Sequence, residues 1–173
     1  MKYKLLSIAL LLPFTAIASN TVTFLGEVSD TTCDITINGS KGDVSVQLPT
    51  VLASTLEESG DVTGATPFKF TVSGCSAGAQ ATVGMRLVST STTNTGNLVN
   101  IATGTPATDV SIQILDDNKT DPIDFTLGEY STDLIAKPTT GNVEFPFTAQ
   151  YHSDGKATIG KVESQLQYAL TYK

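Results

Sequence analysis

The chain has one histidine, two cysteines and fewer basic than acidic residues. Each shortage removes a class of function. A lone His152 excludes multi-histidine metal sites, and no GxSxG elbow, phosphate loop or HExxH occurs. An acidic balance repels phosphate backbones, so nucleic acid is not an expected partner. Helical spacing is scarce, no repeat at solenoid or propeller period occurs, and no Pro- or Gly-rich linker divides the chain. The one apolar run, within Leu5 to Ile17, is too short for a comfortable membrane span.

That run has the layout of an export signal. Lys2 and Lys4 precede it, and Ala16-Ile17-Ala18 fits a small-x-small cleavage rule. Residues 1–18 are therefore expected to be a cleaved signal peptide. Its loss removes two of ten basic residues and leaves eight against seventeen acidic ones, a formal charge of −9. The remaining length suits one domain with a real core.

Cys33 and Cys75 both lie in the exported part, and an even count there reads as one disulfide. It would close a loop of about 43 residues, worth roughly 4 kcal/mol in the chain-entropy account. Two free thiols or a metal pair is the alternative, but no nearby histidine or further cysteine supports it.

What the sequence has in quantity is alternation with period two. It runs through 34–37 before the Asn38-Gly39 turn, 44–48 before Pro49, 67–75, 81–88, 110–115, 144–151 and 162–172. Thr, Val, Ile, Phe and Tyr dominate these runs, which suits pleated, half-buried surfaces. Many short strands with polar turns predict an all-β sandwich or barrel. Residues 52–59 are expected to make a short helical turn, and 89–97 a polar loop. The cluster from Asp116 to Asp121 lacks the Gly and Glu of a calcium loop and reads as a solvated hairpin loop. His152 reads as a surface residue without a catalytic role.

The stretch following the expected cleavage point is a further strand, 19–28. Val22, Phe24 and Val28 share one face, with Gly26 between them. Thr21, Thr23 and Glu27 take the other. Such a strand can pair within its own sheet or with another molecule.

Taken together, the chain resembles subunits of chaperone–usher fimbriae, the type 1 and related pili of Gram-negative bacteria. The resemblance rests on Thr21 to Val28 followed by Cys33, on Val46-Gln47-Leu48-Pro49 and on Pro67-Phe68 leading to Cys75. It rests also on Phe145-Pro146-Phe147-Thr148-Ala149-Gln150-Tyr151 and the penultimate Tyr172. It implies an incomplete immunoglobulin-like β-sandwich at 29–173 that lacks its final strand. A donor strand from another subunit, here 19–28, would complete it. Val22, Phe24, Gly26 and Val28 would be the donor residues. Leu166, Tyr168, Leu170, Tyr172 and Lys173 would form the groove edge along which a periplasmic chaperone zips, its basic groups holding the carboxylate on Lys173. The implied partners are that chaperone, the outer-membrane usher and other copies or sister subunits, with a host receptor as a secondary possibility. The implied role is a structural, adhesion-related subunit at the cell surface, neither an enzyme nor dependent on a cofactor. A minor adaptor, a glycan-binding adhesin subunit or a chain terminator is the alternative within the same pilus.

Overall fold

The computed structural model describes residues 32–78, 80–119 and 121–173. The expected signal peptide and the strand expected at 19–28 lie outside the described residues.

The described residues form nine strands: β1 Asp34–Ile37, β2 Val62–Ser73, β3 Thr82–Val88, β4 Leu98–Val99, β5 Val110–Asp116, β6 Glu129–Ser131, β7 Ile135–Ala136, β8 Asn142–Ser153 and β9 Gln167–Tyr172. One sheet runs β1-β2-β8-β5-β4. In the other, β3 pairs with β9 along its full length, and with β6 and β7 in succession. All these pairings are antiparallel.

Alternation decides which side chains fill the space between the sheets. Phe68, Phe70 and Val72 of β2 meet Phe145, Phe147 and Ala149 of β8, all buried. Val83, Met85 and Leu87 of β3 face them, fully buried, from the other sheet. Phe70 and Phe147 lie edge to face at 5.6 Å, while Phe68 and Phe147 stack at 5.7 Å, both spacings that favour ring pairs. The turn after β1 depends on Asn38 and Gly39, which adopt φ of 48° and 86°. That conformation suits Asn-Gly hairpins and lets Ile37 and Ser40 exchange both main-chain bonds.

Several expectations needed correction. Residues 44–48 are in no strand. Val44, Val46 and Leu48 are still half-buried while Ser45 and Gln47 are exposed, so the segment keeps strand parity without a ladder partner among the described residues. The last strand is shorter than the run at 162–172. The Ser164 hydroxyl bonds Val99 O at 2.8 Å, Ile101 N bonds Glu163 O, and Asn100 Oδ1 accepts from Glu163 N. These bonds hold 162–166 against the opposite sheet, beyond the point where β3 ends at Val88. The loop 89–97 is not simply polar surface, since Ser89 and Asn97 are buried. Asp116 is not solvated either. It is 2% exposed and accepts a 2.6 Å bond from the Tyr130 hydroxyl. Burial first, and this bond second, push the Tyr130 hydroxyl well above its ordinary value. The helical turn expected within 52–59 is one 3-10 turn at Ala53–Thr55.

Candidate functional site

The two ends of the sandwich differ. Cys33 and Cys75 are disulfide-bonded beside the end of β2 and the start of β1. The Tyr172 hydroxyl accepts a bond from Cys33 N at 3.1 Å, and Thr32 N donates to the Ser76 hydroxyl at 2.8 Å. This disulfide end also holds the close of β9, where Lys173 N donates to Thr82 O and Lys173 O accepts from Ala81 N, Thr82 N and the Thr82 hydroxyl.

Between the ends, β9 borders its sheet. Among the described residues its only strand partner is β3. The direction of its main-chain groups follows from the ladder. Thr82 and Lys173 exchange both bonds, and the register is continuous. Doubly bonded pairs alternate along an antiparallel ladder, so the next are Gly84–Thr171, Arg86–Ala169 and Val88–Gln167. The main-chain N–H and C=O of Tyr168 and Leu170 therefore point away from β3, toward the outer edge. Their side chains lean inward, opposite Leu87 and Met85, and stay only half-buried. The Tyr168 ring lies 5.0 Å from Phe70, across the sandwich.

A second border faces this one. β1 pairs only with β2 among the described residues. Asn38 N bonds Lys69 O at 3.1 Å, so by the same alternation the main chain of Ile35 points outward. Beyond the turn, the 43–48 segment continues the border. Ile35, Val44, Val46 and Leu48 on this side, and Val162, Leu166, Tyr168, Leu170 and Tyr172 on the other, are all half-buried and packed on the core. The Tyr168 hydroxyl bridges them by donating to Gly42 O at 3.0 Å. The structure thus brings the sequence-predicted Leu166, Tyr168, Leu170 and Tyr172 onto one border. The facing border of Ile35, Val44, Val46 and Leu48 was missed. Its signal was in the sequence, as alternation at 44–48, but that reads as an ordinary strand.

The two borders end at a cavity of about 380 Å³ lined by residues including Leu48, Thr50, Tyr151, Val162 and Glu163. Gly64 shapes this end. With φ of 70°, it leaves no room for a side chain, because a Cβ there would lie 2.8 Å from the Tyr151 ring. Tyr151 is thereby held with its hydroxyl donating to Pro49 O at 3.2 Å, and burial raises its pKa.

Nothing among the described residues assembles a metal centre: no group of three or more His, Cys, Asp or Glu side chains converges. His152 is half-buried, and its Nδ1 lies 3.3 Å from Asp154 Oδ1 without the alignment of a hydrogen bond. What the arrangement offers is a pair of strand borders with outward main-chain groups and alternating apolar side chains. It is suited to accept an extended chain.

Comparison with known proteins agrees with this fold. The family model described as "Fimbrial protein" matches residues 22–173. The chain is 38% identical over 159 residues to the major fimbrial subunit SMF-1 of Stenotrophomonas maltophilia strain K279a, covering 90% of this chain and 93% of that one. It is 36% identical to the F17 fimbrial protein of Escherichia coli, covering 88% and 86%. A solved structure of a chaperone–usher pilus superposes with a TM-score of 0.61 at 21% identity, over 94% of this chain and all of that one. By family-model match and by identity to these relatives, the chain belongs to the fimbrial protein family.

Proposed function

We propose that this fimbrial subunit polymerises by donor-strand exchange: residues 19–28 of one copy or sister subunit lie along the outer edge of β9 of the next. The observation that carries the reading is the β9 border, where the N–H and C=O of Tyr168 and Leu170 point away from β3 beside half-buried apolar side chains. A bordering strand of this kind is an association hazard unless covered. Val22, Phe24 and Val28 have the parity to cover it, each worth roughly 1.5–3 kcal/mol when buried. Gly26 on the same face suits a shallow stretch. Before assembly, a periplasmic chaperone covers the same border, and the usher directs the exchange. Head-to-tail repetition of one such contact does not close, so it grows a filament on the cell surface. The role is structural and adhesion-related, not catalytic.

The test is deletion of residues 19–27 with co-expression of the cognate chaperone. The truncated subunit is expected to form the chaperone complex and to fail to pass its strand to another subunit. Normal filaments from it would contradict the reading.

A further inference from the structure

Asn100 stands just past β4, and its side-chain amide makes every hydrogen bond it can. Nδ2 donates to Ala107 O at 2.8 Å and to Lys161 O at 2.9 Å. Oδ1 accepts from Ala102 N and from Glu163 N, both at 3.0 Å. A primary amide has two donors and two acceptor positions, so none is left over. The partners also fix which way round it lies, because a flipped amide would set its oxygen against two carbonyls. One side chain thus ties together the chain leaving β4, the loop before β5 and the stretch before β9. Main-chain bonds support the same joint: Ile101 N donates to Glu163 O at 2.7 Å and Ala107 N to Lys161 O at 2.9 Å. The joint pins 161–163 beside the end of β4, and only beyond it does the chain turn across to β3 and begin β9 at Gln167. Its position gives the joint a use. Ala102 and Thr103 on one tied stretch, and Lys161, Val162 and Glu163 on another, line the cavity at which the two borders end.

We propose that Asn100 is a positioning residue for strand acceptance: it builds, in advance, the cavity wall against which the end of a strand from a second copy of the chain seats. The proposal rests on the strand-exchange reading and adds the residue that holds the acceptor in shape at this end. A wall already ordered spares the incoming strand the entropy of ordering it, which favours binding. The strands paired among the described residues are all antiparallel, and β9 begins a few residues past Glu163 and runs away from the cavity. A strand antiparallel to β9 therefore brings its last residues here, and Val28 is the one whose parity turns it inward. Asn100 touches no part of that strand itself. It acts through Ala102 and Glu163, whose amides it holds, and through the carbonyls of Ala107 and Lys161.

The experiment mixes the full chain, held by its chaperone, with a synthetic peptide of residues 19–28 and measures how fast the peptide replaces the chaperone. Asn100→Ala is expected to slow replacement about tenfold, the size of losing one seated apolar contact. A general loss of stability would slow it too, so the peptide is varied as well. Val28→Ala in the peptide should slow exchange into the parent but change little further in Asn100→Ala, since both remove the same seat. Val22→Ala, at the other end of the strand, should slow parent and variant by the same factor. Additive effects for both peptides overturn the proposal and leave Asn100 with a structural role alone. Coupling to Val22 in place of Val28 overturns it too, because the strand then lies the other way round. Should Asn100→Ala fail to accumulate, hydrogen exchange on the unsubstituted subunit decides. The amides of Ala102 and Glu163 should be as protected before the peptide enters as after, and protection gained only with the peptide overturns the wall built in advance. Failure of the parent peptide to replace the chaperone on the unsubstituted subunit overturns the strand-exchange reading, and the role of Asn100 with it.

Discussion

β8 and β9 carry the same kind of sequence and meet different fates. Both alternate aromatic or aliphatic residues with polar ones. Along the middle of β8 the inward residues Phe145, Phe147 and Ala149 are at most 4% exposed, while Val143 and Tyr151 toward its ends are half-buried. In β9 the inward residues Tyr168, Leu170 and Tyr172 stay half-buried. The cause is the number of neighbours. β8 is hydrogen-bonded on both sides, to β2 and β5, while among the described residues β9 has β3 alone. Period-two alternation says which face of a strand turns inward. It does not say how many strands stand beside it, and here that missing information is the functional part.

The comparison can be broken most sharply in the core. Phe147→Ala is expected to cost about 3–5 kcal/mol, read from the urea midpoint, because every face of the ring is packed. Leu170→Ala on β9 should cost less in the same measurement, and should instead weaken binding of a peptide of residues 19–28. Equal destabilisation by the two, with peptide binding untouched, would show that β9 is core and not border.

A smaller effect sits where β5 meets β6. Tyr130→Phe leaves buried Asp116 without its hydroxyl partner and should cost about 1–3 kcal/mol near neutral pH. The native protein should also lose stability as pH climbs past about 10. The sign follows from the raised Tyr130 and Tyr151 values: above the ordinary tyrosine pKa the unfolded chain releases protons that the folded chain retains. That contribution is whole below pH 10 and fades as pH rises toward the folded-state values. Thermal melts across pH 8 to 11 would show a shallower alkaline decline in Tyr130→Phe.

The smallest effect belongs to the outer face of the five-stranded sheet. Lys69 and Glu144 pair at 2.7 Å with both side chains nearly half exposed. Lys69→Ala should change the urea midpoint by no more than about 1 kcal/mol, as exposed ion pairs do. It should leave peptide binding unaltered.

Much of the fold was legible in the sequence because alternation and turn chemistry are local. The β1 boundaries, the Asn38-Gly39 turn and the inward face of β2 follow from a few adjacent residues. What was not legible depended on distant partners. Residues 44–48 alternate as a strand does but lie where no ladder partner stands among the described residues. Residues 162–166 alternate too, yet Ser164 and Glu163 bond to 99–101, at the end of β4 and just beyond it. Asp116 looks solvated beside Asp117 and Asn118, and only the fold brings Tyr130 to it.

Hydrogen exchange at β9 tests the central claim most directly. The amides of Tyr168 and Leu170 point away from β3, so they should be protected in assembled filaments. In the subunit lacking residues 19–27, freed from its chaperone, they should exchange rapidly while Thr171 and Ala169 stay protected by β3. Equal protection of Tyr168 and Leu170 in both samples would mean that the border is not where the donor strand lies.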